Sequence, residues 1–272
     1  MRLLVPLLLL AGPALAQTTP QQPPRFEMPP PAEAGSGPPK AADAIWGAAA
    51  MQPSRDALAK EHGAMTRAWF MTDRAELRVT DEPLGYLWDV QGWWGGDTDK
   101  LWVKSEGEGT FGEPIDEAEL QALWSHAIAP FFDLQMGLRQ DFAPGTPTNA
   151  VLGIQGLAPY RFELDAALFL STDGNLTARI EAELDQRLTQ RLIIQPRVEF
   201  NLAAQDIPEQ GIGAGMDSIS LGLRLRYEIV REFAPYIGVE QDWAIGTSAD
   251  YARARGEAPS VTAFVIGIRS WF

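Results

Sequence analysis

The chain has no cysteine, two histidines (His62 and His126), and 22 lysines and arginines against 36 aspartates and glutamates, a formal net charge of −14. Each shortage excludes something. Without cysteine there is neither a disulfide scaffold nor a thiolate metal site. The acidic balance argues against nucleic acid as a partner, because phosphate binding needs a basic surface, and it is compatible with cations. No stretch offers the roughly 18 consecutive apolar residues that a transmembrane helix needs.

What is present begins with "MRLLVPLLLLAGPALA": Arg2, an apolar run from Leu3 to Leu10, and small residues Ala14 and Ala16. This reads as a secretory signal cut after Ala16, residues 1–16. An exported chain without helical anchors is either soluble or a barrel. Residues 17–65 form a proline-dominated arm, expected to be mostly disordered on the periplasmic side. Within it a short helix is expected from Ser54 to Lys60, with Ser54 as its cap.

From Thr66 to Phe272 the texture changes. Segments of about ten residues alternate apolar with charged positions and are separated by Gly, Pro, Asp and Asn clusters, the pattern of membrane β-barrel strands. Between Ser218 and Val230, for example, Ile219, Leu221, Leu223, Leu225, Tyr227 and Ile229 share one face, and Arg224, Arg226 and Glu228 the other. Strands are expected near 66–78, 84–94, 100–112, 117–126, 131–142, 149–158, 161–171, 176–188, 192–204, 218–230, 234–245 and 260–272. About twelve strands suit a closed barrel, and short and longer connections alternate as the two rims of one require. The two longest connections, around Ile207 and Tyr251, fall on the same rim. Trp93, Trp94, Phe131, Phe132, Tyr160, Phe162, Phe233, Tyr236, Trp271 and Phe272 lie beside the short turns and read as a girdle at the lipid boundary. The expected class is therefore all-β: a transmembrane, antiparallel, up-and-down barrel spanning 66–272 in the outer membrane of a Gram-negative cell, in contact with lipid. A periplasmic β-sandwich would also alternate.

Such a barrel turns Lys104, Glu106, Glu108, Asp133, Arg139, Arg179, Glu181, Glu183, Asp185, Arg224, Arg226 and Glu228 into its lumen. Two readings stay open: a ladder of ion pairs that fills and stiffens the interior, or a path that attracts cations. Catalysis finds little support, because Ser125 and His126 are adjacent on a strand and point to opposite faces. For metals, "HGAM" sets His62 three residues from Met65, with Met51 nearby. Thioether and imidazole suit copper, above all monovalent copper.

Several blocks resemble the copper resistance protein B family: "WDVQGWWGGDTDKLWVKSEGEG" from Trp88, "AIAPFFDLQMGLRQD" from Ala127, the long segment from Gly153, "GLRLRYEIVREFAPYIGVE" from Gly222 and the closing "GIRSWF". The resemblance implies an outer-membrane barrel that handles copper ions, takes part in copper tolerance and homeostasis, and works with periplasmic copper-handling proteins. Members commonly carry a Met- and His-rich region before the barrel. Here the arm is proline-rich, with Met28, Met51, His62 and Met65, which puts high-capacity copper storage in doubt.

Overall fold

The computed structural model describes residues 42–58, 60–61, 65–81 and 83–272. The expected signal, residues 17–41 of the arm and His62 lie outside the described residues. The chain divides into two units, Met1–Asp56 and Ala57–Phe272. Two helices precede the first strand in sequence, α1 (Asp43–Trp46) and α2 (Ala48–Leu58), separated by Gly47 at φ 82°. Ser54 therefore lies inside α2 and does not cap it. The run Ala48 to Met51, all strong helix formers, starts the helix upstream of the expected position.

The second unit is one closed antiparallel sheet. Its strands are β1 (Arg67–Val79), β2 (Gly85–Gly95), β3 (Asp99–Thr110), β4 (Ile115–Ala129), β5 (Phe132–Ala143), β6 (Thr148–Ala158), β7 (Phe162–Ser171), β8 (Leu176–Leu184), β9 (Gln186–Arg187), β10 (Leu192–Ala203), β11 (Gly215–Tyr227), β12 (Phe233–Ala244) and β13 (Ser260–Trp271). Consecutive strands pair, and β13 returns to β1, with Leu77 opposite Ile266, which closes the barrel. β9 continues β8 along β10 in unchanged register, so there are twelve positions around the barrel. The interruption falls beside Pro196 of β10, which has no N–H to give to a ladder. A single closed sheet is not a two-layered sandwich.

The two faces are the reverse of a soluble protein's. Ile266 points outward and is 58% exposed, whereas its neighbour Val265 points inward and is 1% exposed. Outward positions also carry Leu101, Val103, Leu221, Leu223, Leu225, Phe264 and Ile268, while Ser125, Gln135, Arg224 and Glu240 are buried inside. An apolar exterior around a polar interior is the distribution that lipid imposes on a spanning barrel, whose backbone groups all pair within the sheet. Among the described residues no helix is long and apolar enough to cross a membrane.

Glycine makes room where large rings lie against the wall. A Cβ on Gly267 would stand 2.6 Å from the Tyr236 ring, and one on Gly107 would stand 2.3 Å from the ring of Trp88. The first glycine lets Tyr236 reach across β13 inside the barrel; the second lets Trp88 lie flat on the outer wall.

Two aromatic assignments need correcting. Trp93 and Tyr236 do not belong to the girdle. Both occupy inward positions of β2 and β12, where Trp93 lines the lumen and Tyr236 is buried with its hydroxyl on Glu76. Proximity to a turn sets a ring's height in the barrel, but the alternation of the strand sets its face. Trp94, Phe131, Tyr160, Phe233, Trp271 and Phe272 are exposed large hydrophobics at the short-turn end, joined by Phe70 and Trp124.

The long connections also differ from expectation in one respect. Residues 246–255 form a helix, α3 (Gly246–Arg255), which ends at Gly256 with φ 83° and its N–H on the carbonyls of Ala252 and Arg253. The alanines and arginines favour it, and the glycine supplies the left-handed C-terminal turn.

Candidate functional site: the charged lumen

Inward charges arrive from nearly every strand, and β1 supplies more than alternation allows. Its pairing shifts register around Asp73 on both sides, a β-bulge. Met71 and Asp73 therefore face inward before the shift, and Arg74, Glu76 and Arg78 after it.

The resulting ion pairs form three groups. On one side Arg224 gives Nε to Glu76 and Nη2 to Glu240, both at 2.6 Å, and the Tyr236 hydroxyl gives its hydrogen to Glu76 at 2.9 Å. Arg78 meets Glu108 at 2.9 Å and Asp242 at 2.8 Å. Arg226 pairs with Asp185, and Arg187 with Glu228 at 3.0 Å. Toward the short turns, Lys104 pairs with Asp165 and Lys100 with Asp133 at 2.7 Å.

The third group crosses the middle. Arg179 of β8 reaches Glu106 of β3 at 2.8 Å and Glu119 of β4 at 3.2 Å, and lies 3.7 Å from Glu199 of β10. Arg74 holds the other side of Glu106 at 2.6 Å, and Arg139 holds Glu119 at 3.1 Å. Beneath them Phe169 is buried with Leu123 and Val151. The Arg139 guanidinium stands 4.2 Å from its ring centre, within cation–π range.

This layer separates two cavities. One, of about 450 Å³, opens toward the long loops; the other, of about 500 Å³, opens toward the short turns. Glu106, Glu119, Phe169 and Arg179 line both, which identifies them as the waist between the chambers.

The upper chamber is roofed. Ile207, Gln210 and Ile212 of the β10–β11 connection, with Ser248 and Ala252 of α3, line the same cavity as Arg139 and Asn149 on other strands. Ser248 ties the roof together. Its oxygen accepts the Gly213 N–H at 2.8 Å, and its hydroxyl donates to Asp217. Beyond α3, Arg255 donates to Glu257 at 2.8 Å, and this hydrogen bond holds the Glu257 carboxyl below its usual range. Ser248→Ala removes both bonds of the hydroxyl and is expected to loosen the roof by about 1–3 kcal/mol. Hydrogen exchange should quicken in residues 204–214 and 246–257 while the strands keep their protection; uniform exchange across the barrel would contradict that local role.

Each sequence-derived position has a place in this arrangement. Lys104, Glu106, Glu108, Asp133, Arg139, Arg179, Glu181, Asp185, Arg224, Arg226 and Glu228 are ion-paired, and Glu183 lines the lower chamber. Met51 lies in α2 and Met65 is exposed ahead of β1. Asp73, Arg74, Glu76, Arg78, Lys100, Glu119 and Arg269 are further ion-paired lumen charges. The bulge at Asp73 shifts the face of the first four; Lys100 shares the alternation of Lys104 on β3, which is the signal that points to it. Ser125 is buried inward and donates to Asp133 at 3.0 Å, while His126 sits on the rim with Nδ1 2.9 Å from Asp99. The two point apart, so they form no nucleophile–base pair.

The family model described as "Copper resistance protein B precursor (CopB)" matches residues 66–272. Copper resistance protein B of Escherichia coli is 44% identical over 212 residues, covering 78% of this chain and 71% of that protein. A copper resistance protein B homolog of Pseudomonas syringae pv. tomato is 42% identical over 212 residues, covering 78% and 72%. Among solved structures, the NanC porin overlays with a TM-score of 0.49 at 11% identity, covering 74% of this chain and 98% of that one. The KdgM porin gives 0.44 at 10%, covering 76% and 99%. The barrel assignment itself rests on the strand register and the burial pattern.

Proposed function

Because the chain belongs to the copper resistance protein B family, we propose that it is an outer-membrane barrel contributing to copper binding, copper homeostasis and copper resistance. The observation that carries this reading is the family match over the whole barrel, residues 66–272. An apolar outer wall suits lipid, and an acidic chain suits a cationic cargo. In this reading the short-turn rim faces the periplasm and the roofed chamber faces outward, as spanning barrels place their short and long connections. Met51, His62 and Met65 are the proposed soft ligands of the arm, where a periplasmic copper-handling protein would exchange the ion.

Deleting the gene from a copper-tolerant host should lower the copper concentration that permits growth, and the intact gene on a plasmid should restore it. Unchanged tolerance after deletion would count against the copper reading. A second reading, a structural barrel or non-metal channel, is favoured by the ion-paired waist. Single-channel conductance separates the two readings.

A further inference from the structure

Among the described residues, the arginines of the lumen and of α3 all have a carboxylate at ion-pair distance. Four others do not. Arg67, Arg161, Arg191 and Arg231 are exposed, and their side chains make no hydrogen bond or ion pair among the described residues.

All four lie at the short-turn end. Arg67 opens β1 opposite Gly95, and Arg161, Arg191 and Arg231 sit in the β6–β7, β9–β10 and β11–β12 connections. These are successive positions around that rim, because β1 follows β12 and β13 in the closed sheet. Neighbouring ones are about 10 Å apart, two strand spacings. The arc stops at the β2–β3 turn, where Asp97 and Asp99 stand instead.

Exposed apolar side chains accompany each arginine. Tyr160 and Phe162 flank Arg161, Leu188 precedes Arg191, and Val230 and Phe233 bracket Arg231. Phe272 pairs with Phe70 of β1, three residues beyond Arg67. The arc therefore continues the apolar outer wall at its edge. In the β6–β7 turn, Tyr160 (φ 66°, ψ 14°) and Arg161 (φ 69°) both hold the left-handed backbone that glycine adopts without strain, and Tyr160 is 89% exposed. Bulky residues kept there at a cost mark a position where what they reach matters.

We propose that this arc binds the headgroups of anionic phospholipids in the leaflet at the short-turn end. A guanidinium offers phosphate oxygens paired, charge-assisted hydrogen bonds. The neighbouring rings and aliphatic side chains lie against the acyl chains of the same lipid. An acidic protein would match the charge but leave the apolar half of each position uncovered. The expected result is an uneven lipid shell, anionic along the arc and not beside Asp97 and Asp99. The arc is independent of the copper reading.

The test uses full-length protein, delipidated in a neutral detergent and incubated with equal amounts of phosphatidylglycerol and phosphatidylcholine of the same acyl chains, the retained lipids being identified by native mass spectrometry. Phosphatidylglycerol should be retained about fivefold in preference, which is what one arginine near an anionic membrane surface contributes. Combining Arg67→Gln, Arg161→Gln, Arg191→Gln and Arg231→Gln should bring the two lipids to parity. Arg253→Gln with Arg255→Gln, in the long-loop helix and already ion-paired, should leave the preference unchanged. Migration of unboiled samples on a gel verifies that each variant is folded.

An undiminished preference in the combined variant would overturn the proposal, as would an equal loss in the Arg253 and Arg255 variant, which would reduce the effect to overall charge. Bound phosphatidylglycerol should also withstand an equal concentration of inorganic phosphate or of polyglutamate. Displacement by the first would reduce the arc to a free-anion site, and displacement by the second would reassign it to an acidic protein; either overturns the lipid assignment.

Discussion

Replacing Arg224 by alanine is expected to cost about 3–5 kcal/mol of barrel stability, the usual penalty for breaking a buried ion pair from one side. Arg224 is 2% exposed and is the shared partner of Glu76 and Glu240, themselves 3% exposed. Its removal leaves Glu240 with the more distant Arg78 at 3.4 Å and leaves the Tyr236 hydroxyl as the remaining donor to Glu76. The same cluster stitches β1, β11 and β12 to one another from inside, across the point where β13 meets β1 to close the barrel. Urea unfolding in lipid vesicles, followed by tryptophan fluorescence, measures the loss. Arg224→Met combined with Glu76→Gln and Glu240→Gln should recover most of it, because no charge is then left buried alone. If the single variant is as stable as the triple, the cluster is not a structural clasp.

Arg179→Ala should turn a poorly conducting barrel into a clearly conducting one, with single-channel conductance in planar bilayers rising several-fold. Two chambers of about 450 and 500 Å³ already exist, and the barrier between them is the layer where Arg179 bridges Glu106, Glu119 and Glu199 above Phe169. Truncating Arg179 removes the side chain that spans β3, β4, β8 and β10. It also leaves Glu106, Glu119 and Glu199 with one positive charge fewer, so the enlarged path should favour cations over anions. Reversal potentials under a salt gradient read that selectivity. Free conduction by the unaltered protein, with no change in the variant, would show that the waist is not the barrier. A silent Arg179→Ala barrel would favour the structural reading, in which the ion pairs fill the lumen without gating it.

The strands were legible because lipid and lumen impose opposite chemistries on alternate residues. Ser218 to Val230 shows this, its leucines exposed and Arg224 and Arg226 buried in the structure. Turn lengths were legible for a related reason: glycine and proline clusters interrupt the alternation wherever the chain leaves the sheet. Three things were not. The inward run Arg74, Glu76 and Arg78 depends on a bulge at Asp73, and one extra residue inverts the face of everything after it. The helix α3 lay in a segment read as loop, and its tie to Gly213 through Ser248 joins residues 35 positions apart. For Trp93 and Tyr236, nearness to a turn gives the height along the strand, and only the alternation of the strand gives the face.

The amino-acid pattern by itself therefore determined the class of the protein, the number of strands, the alternation of its rims and the identity of most lumen charges. Those follow from local periodicity, which every ten-residue segment carries within itself. Only the closed barrel decided which charges meet. Arg179 finds Glu106 and Glu119 across 73 and 60 residues of chain, and Arg224 finds Glu76 across 148. Partnerships at that separation depend on the closure of the sheet and on its register, and on the single bulge that shifts it. They left the lumen with a waist and a roof.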